Sequence, residues 1–373
     1  MKIKRFIVFI VCSLVFNIAF AQGYNKDSIA RLVQEIRKTP VDTGHIRKLY
    51  DLGYEIGEKD SSLSKEILTE ALSKSISVKD DRAIANSCRM LGLWYSGVNE
   101  RDKALEYYRA SANAAEHSQL LYLMAGAYFN IGNIKYWKGE YDSCIDYFLK
   151  TQEIFENPKV FEDKTLTNRI LDKKKSDLYS NISSVFNTLK NLPKADEYID
   201  KSLAIAEGYK STKMIAYYSQ QKADNYYENG EVERALRTRL SSLAQLEKED
   251  IPDSYLQSYC QLIAQEYFEL GKTDSSKLFA LKSLKLAEEL EVPDAAANAN
   301  WQMGKIAMKE KNYKLAETYF QKCSDYYIKS EDPTEKRNYY DVQHQLLFAT
   351  GRYREAYLYL DSFKNLNDTI LNG

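Results

Sequence analysis

Residues 88–111 read CRMLGLWYSGVNERDKALEYYRAS, and this stretch decides the fold. Cys88, Leu91, Gly92 and Tyr95 recur at i, i+3, i+4 and i+7, the spacing of one helical face. A turn follows, and Ala104, Leu105, Tyr108 and Ser111 resume the helical spacing on a second segment. Small residues at fixed places let the two helices of such a hairpin, and the next hairpin, approach closely.

The same small residue of the second helix returns along the chain. It falls at Ser64, Ala104, Cys144, Ala195, Ala235, Ser276, Ala316 and Ala356, at intervals of 40, 40, 51, 40, 41, 40 and 40 residues. Gly139, Gly230, Gly271 and Gly351 each stand five residues before their unit's small residue, in the turn where a positive φ suits glycine. Asp102, Asp142 and Asp274 stand two residues before it, where they can cap the second helix. Pro158, Pro252, Pro293 and Pro333 fall between units, Pro40 precedes the first, and Pro193 occupies the turn inside the fourth.

At this point the residues resemble tetratricopeptide repeats. Leu91-Gly92-x-x-Tyr95 with Ala104 and Tyr108, and Gly139-x-Tyr141 with Cys144 through Phe148, follow that family's pattern of L-G-x-x-Y, then G-x-Y-x-x-A, then an aromatic four residues on. The resemblance covers about residues 44 to 370. It implies an all-α fold, a right-handed α-α superhelix (an α-solenoid) of about eight helical hairpins over 44–373, with units of about 40 residues rather than the usual 34. Departures occur: Gly57 lies seven residues before Ser64, Lys190 takes the turn-glycine place, Arg239 the aromatic place and His344 the first-helix glycine place. The long interval holds a charged insertion around 157–175, read as a loop, an extended helix or a seam. Residues 22–43 are expected to cap the array, with Ile29, Leu32, Val33 and Ile36 on one helical face.

The first 21 residues are a separate object. Lys2, Lys4 and Arg5 precede an apolar run from Phe6 to Phe16, and Ala19-Phe20-Ala21 puts small residues at the −3 and −1 places. This is a signal peptide cleaved before Gln22, the run being short for a bilayer anchor. The expected mature chain is exported, periplasmic or extracellular, with no integral membrane segment. It has 49 basic and 53 acidic residues, a net charge of −4, which argues against nucleic acid. Cys88, Cys144, Cys260 and Cys323 fall at packing positions of different units, so buried thiols are expected and no disulfide.

The scarcity of breakers, 15 Gly and 6 Pro against average usage of about 7% and 5%, fits a helical chain. The three histidines lie in separate units, which disfavours a metal site. No phosphate loop, dinucleotide fingerprint, nucleophile elbow or zinc-protease motif is present, so neither catalytic residues nor a cofactor are expected.

Tyr is abundant, with 30 copies, and most coincide with packing positions. In the family, first-helix positions line a concave groove that holds a peptide or protein segment. Carried over by register, the resemblance implies a groove of Asn86, Arg89, Phe129, Asn133, Tyr136, Tyr217, Gln220, Asp224, Tyr227, Gln261, Gln265, Phe268, Trp301 and Lys305. Tyr, Trp and Arg combine large contact area with a polar handle, and amides bond to an extended backbone. The expectation is a non-enzymatic scaffold for a protein or peptide. The alternative is the sensor or input region of a membrane signalling system. The apolar stripe of Leu360, Phe363, Leu366 and Ile370 on the C-terminal helix leaves three roles open: docking a partner, self-association, or connection to an output module.

Overall fold

The computed structural model describes residues 26–163, 166–248 and 252–372; the signal peptide read over 1–21 lies outside them. Among the described residues are seventeen α-helices and one 3-10 helix, and no strand. The fold is all-helical, as expected. The chain divides between Val185 and Phe186 into two compact units.

In the first unit α1 (Lys26–Arg37) precedes three hairpins: α2 (Thr43–Glu55) with α3 (Ser61–Ser77), α4 (Asp81–Gly97) with α5 (Arg101–His117), and α6 (Leu121–Trp137) with α7 (Tyr141–Glu156). A 3-10 helix over Pro158–Glu162 and then α8 (Asn168–Thr188) follow, the unit boundary falling inside α8. The second unit continues with α9 (Leu192–Gly208). Four hairpins follow it: α10 (Thr212–Glu228) with α11 (Val232–Leu246), α12 (Asp253–Glu269) with α13 (Thr273–Glu289), α14 (Pro293–Lys309) with α15 (Tyr313–Lys329), and α16 (Pro333–Ala349) with α17 (Tyr353–Asn372).

Ile29, Val33 and Ile36 of α1 are buried in a cluster with Ile46, Leu49 and Leu68, and Arg37 donates to Glu66 and Glu70 of α3 at 3.0 and 2.7 Å. The eight recurring small residues are all buried. Their purpose is close approach, and glycine on the first helix serves the same end. A Cβ on Gly92 would come within 2.5 Å of the Tyr108 ring, and one on Gly132 within 2.5 Å of Phe148; Gly304 is just as crowded by Phe320. In these three hairpins the aromatic four residues after the small position therefore packs against bare backbone. Burying such a ring contributes on the order of 2–3 kcal/mol.

The helix ends show a second regularity. Eleven residues have positive φ among the described residues: Gly139, Gly230, Gly271 and Gly351, but also Lys79, Asn99, Gln119, Lys190, Lys210, Glu291 and Lys311. In each case the next backbone N–H reaches back five residues, as Glu140 to Tyr136's neighbour Lys135 at 2.9 Å and Asn191 to Phe186 at 2.8 Å. This closure satisfies carbonyls that the helix end leaves free. Lys190 thus adopts the conformation that glycine adopts elsewhere, with φ of 58°. The hydrogen-bond pattern, rather than glycine itself, defines the turn.

The expected aspartate caps lie two residues inside the helix rather than at the cap position. Asp102, Asp142 and Asp274 lie inside the first turns of α5, α7 and α13, whose cap positions Glu100, Glu140 and Lys272 make no side-chain cap bond. There the carboxylates interact favourably with the positive end of the helix dipole instead. Side-chain caps come from Asp42, Asp60, Asp80, Asn191, Ser211, Asn312 and Asp332. Within 157–175, Val160 of the 3-10 helix is buried, and Asp163 accepts from Arg82 of α4 at 2.9 Å.

Cys88, Cys144, Cys260 and Cys323 are buried free thiols. Burial pushes all four upward, Cys144 and Cys323 to about 12. On α17 the stripe of Leu360, Phe363, Leu366 and Ile370 is half-buried, while Tyr353, Tyr357 and Leu358 are exposed.

Candidate partner-binding face

The side chains assigned to the groove sit on first helices in both units, and their surroundings differ. In the first unit they engage one another's neighbours. Asn86 Nδ2 donates to the Arg82 carbonyl at 3.0 Å, and Arg89 runs beside Gly126. The Phe129 ring lies 5.6 Å from Phe148, and Tyr136 lies 5.7 Å from Tyr141. Asn133 Oδ1 accepts from Asn181 Nδ2 at 3.2 Å. Each of these five is half-buried.

The second unit brings its residues into a connected set. Tyr227 of α10 donates its hydroxyl to Glu269 of α12, and Gln265 Nε2 donates to that same hydroxyl at 2.6 Å. Burial, then the Glu269 carboxylate, push the Tyr227 phenol upward. Beyond them, the ammonium groups of Lys305 and Lys309 on α14 lie 5.2 and 4.8 Å from the Phe268 ring centre. Burial holds the Lys305 ammonium below its usual value. The set runs from α10 through α12 to α14.

Asp224 introduces the group that register alone did not place in the site. Its Oδ1 accepts from Arg239 Nη2 at 2.6 Å, and Arg239 Nε donates to Glu266 Oε1 at 2.7 Å. Arg239 and Glu266 are each 1% exposed, whereas the Asp224 side chain is 43% exposed. Arg239 belongs to the second helix α11, so its guanidinium reaches across to the first-helix layer. Burial pushes the Glu266 carboxyl up to about 7, against the pull of Arg239. Ala223 stands where the Gly–aromatic hairpins have glycine, and it is fully buried. The signal for this site was an arginine at an aromatic packing position; nothing in the sequence paired it with Glu266.

The remaining assigned residues divide. Tyr217 is exposed and accepts from Gln221 Nε2 at 3.1 Å, and Gln220 beside it is half-buried. Gln261 is held between hairpins, accepting from Ser283 at 3.2 Å and donating to the Asn298 carbonyl at 3.4 Å. Trp301 is packed, its ring 5.2 Å from Phe320, 4.8 Å from Tyr327 and 6.1 Å from Tyr339. The opposite face of α10 carries a cleft of about 580 Å³ shared with α9 and α11, lined by Ser219, Lys222, Tyr226, Arg234 and Thr238 among others. No group of three or more His, Cys, Asp or Glu placed to hold a metal occurs among the described residues. No described helix is long and apolar enough to cross a membrane.

Comparison with known proteins agrees with this geometry. A family model described as tetratricopeptide repeat matches residues 257–290 and 297–330, the α12/α13 and α14/α15 hairpins. No curated protein matches the sequence. Among solved structures, the apo form of RapI is similar over 87% of this chain and 88% of its own, with a TM-score of 0.65 and 18% identity. Aspartyl phosphate phosphatase F from Bacillus subtilis matches over 94% and 96%, at 0.58 and 14%. The apo form of the quorum sensor NprR from B. thuringiensis matches over 86% and 98%, at 0.52 and 15%. These likenesses concern the fold. The repeats at 257–290 and 297–330 are thus tetratricopeptide repeats by sequence, and helical hairpins pack in both units.

Proposed function

We propose that this protein is a non-enzymatic, exported scaffold that holds an extended protein or peptide segment on its first-helix face. The observation that carries the reading is the line Tyr227–Gln265–Glu269, in which two groove-position side chains from two hairpins and the neighbouring Glu269 are bonded into one fixed surface. Fixing donors and acceptors before the partner arrives lowers the ordering cost of binding. Tyr217, exposed on the same helix as Tyr227, offers an aromatic anchor at its edge. No cofactor enters this mechanism, and the acidic balance of the chain fits a protein rather than a nucleic-acid partner.

The test is site-specific photo-crosslinking in the native host. A photoreactive residue at Tyr217 should give a discrete adduct, and one at Leu278, exposed on second helix α13, should not. Equal labelling from both positions would remove the groove reading. Export is checked separately by sequencing the N-terminus of the purified chain, with Gln22 expected first and Met1 overturning it.

A signal-input role is the second reading, favoured by the similarity in fold to a protein named as a quorum sensor. In that case the adduct at Tyr217 would be a small signalling molecule, recognised by its mass.

A further inference from the structure

The groove reading leaves the chemistry of the partner open, and the ion group under Asp224 narrows it; the inference here rests on that reading. One guanidinium, Arg239, serves two carboxylates, Glu266 and Asp224, at 2.7 and 2.6 Å. Glu266 Oε2 and Arg239 Nη1 are buried and have no hydrogen-bond partner. When both carboxyls are ionised, the group holds two negative charges against one positive, in a place where charge is poorly solvated. Its one well-exposed member is Asp224, which opens onto the groove side of α10.

The groups that face it do not supply the missing cation. Tyr259 of α12 lies close to Arg239, but its hydroxyl is used by the Ala216 carbonyl at 2.6 Å and by Ser242 at 2.9 Å. Glu269, also on α12, adds a further negative charge, and the Lys305 ammonium of α14 acts on Glu269 while lying over Phe268. On α10 itself, Tyr217 lies seven residues before Asp224, on the same helical face, with its ring exposed.

We propose that Asp224 receives a cationic side chain, Lys or Arg, of the bound segment, and that this cation completes the charge balance that Arg239 alone leaves unfinished. The exposed Tyr217 ring, two helical turns before Asp224, offers a separate aromatic contact for a neighbouring residue of the same segment. The partner is therefore a basic peptide segment. The high Glu266 carboxyl adds a consequence: an arriving cation favours its ionised form, so binding releases a proton and strengthens as pH rises through about 7.

The experiment uses the purified chain and short synthetic peptides, capped at both ends, in matched sets that differ only by Lys or Arg against norleucine. Lys and Arg members should bind about tenfold more tightly than their norleucine partners, with proton release seen by calorimetry in two buffers of different ionisation enthalpy. Asp224→Asn should abolish the preference while keeping its helical spectrum and melting transition, because the amide oxygen still accepts from Arg239. Peptides bound without preference, or a preference that survives Asp224→Asn, would overturn the cation site and leave the groove reading standing. Absence of all peptide binding, together with unselective crosslinking at Tyr217, would remove both.

Discussion

Arg239 and Glu266 meet across neighbouring hairpins, Nε to Oε1 at 2.7 Å, with both side chains sealed from water. Removing one partner of such a pair leaves the other buried and uncompensated, whereas replacing both with packed apolar groups can be neutral or stabilising. Arg239→Met alone is therefore expected to cost about 3–5 kcal/mol in chemical denaturation. Arg239→Phe with Ala223→Gly and Glu266→Leu, which recreates the Gly132–Phe148 arrangement, should recover most of it. A triple variant as unstable as the single one would show that the ion pair is itself stabilising.

The pH dependence of stability follows from Glu266. Its folded carboxyl lies at about 7, above the ordinary glutamate value of 4.5, so the native state holds the proton more strongly than the unfolded chain. That contribution is fully present below about pH 4.5 and is lost as pH rises through about 7. The unfolding free energy of the wild type minus that of Glu266→Gln should fall by roughly 1–3 kcal/mol across this window. A flat difference would mean that Glu266 is ionised throughout.

Gly92→Ala and Gly132→Ala push a methyl group into the rings of Tyr108 and Phe148. Each should lower stability by about 1–3 kcal/mol, as overpacking does, and thermal unfolding measures it. Gly92→Ala combined with Tyr108→Leu should be milder than the two losses added, because the clash is shared.

The turn residues give predictions of opposite sign. Gly271→Ala places a side chain at φ of 75° and should cost about 1 kcal/mol, although no atom obstructs the new Cβ. Lys190→Gly relieves the same conformation at φ of 58°. It should stabilise by a few tenths of a kcal/mol, the relief outweighing the greater freedom of the unfolded chain. Loss of stability in Lys190→Gly would show that the lysine itself contributes, its Nζ donating to the Glu228 carbonyl at 3.1 Å.

The four buried thiols should be silent toward a thiol reagent in the native state and react together on unfolding. Their raised values leave almost no thiolate near neutrality. Fast reaction of any of Cys88, Cys144, Cys260 or Cys323 in native buffer would contradict the packing described.

Much of the fold was legible because the repeat is local. Helical spacing, the small residue and the turn all lie within one unit, so Ala104 and Tyr108 could be read with Gly92 from a single stretch. The left-handed turns at Asn99, Lys190 and Lys311 were less visible, since nothing in a lysine announces positive φ. The face was legible only by register. Trp301 fits that register, yet its ring is held by Tyr327 and Tyr339, and Tyr339 belongs to the next hairpin. Arg239 stood out as a charge at a packing position, but Glu266 lies 27 residues away on another helix. Such pairings depend on how hairpins stack, which spacing within one hairpin does not encode.

The five-residue closures at the helix ends bear on how the chain acquires its structure. Each fixes a helix end using residues already adjacent, and each then aims the following helix back along the one just formed. Little chain must be gathered before a contact such as Gly92 with Tyr108 begins to reward it. A hairpin can therefore assemble soon after its last residue leaves the ribosome, before the next has been delivered. A chain made this way can be handed over piecemeal, and interruption partway leaves finished hairpins rather than a tangle.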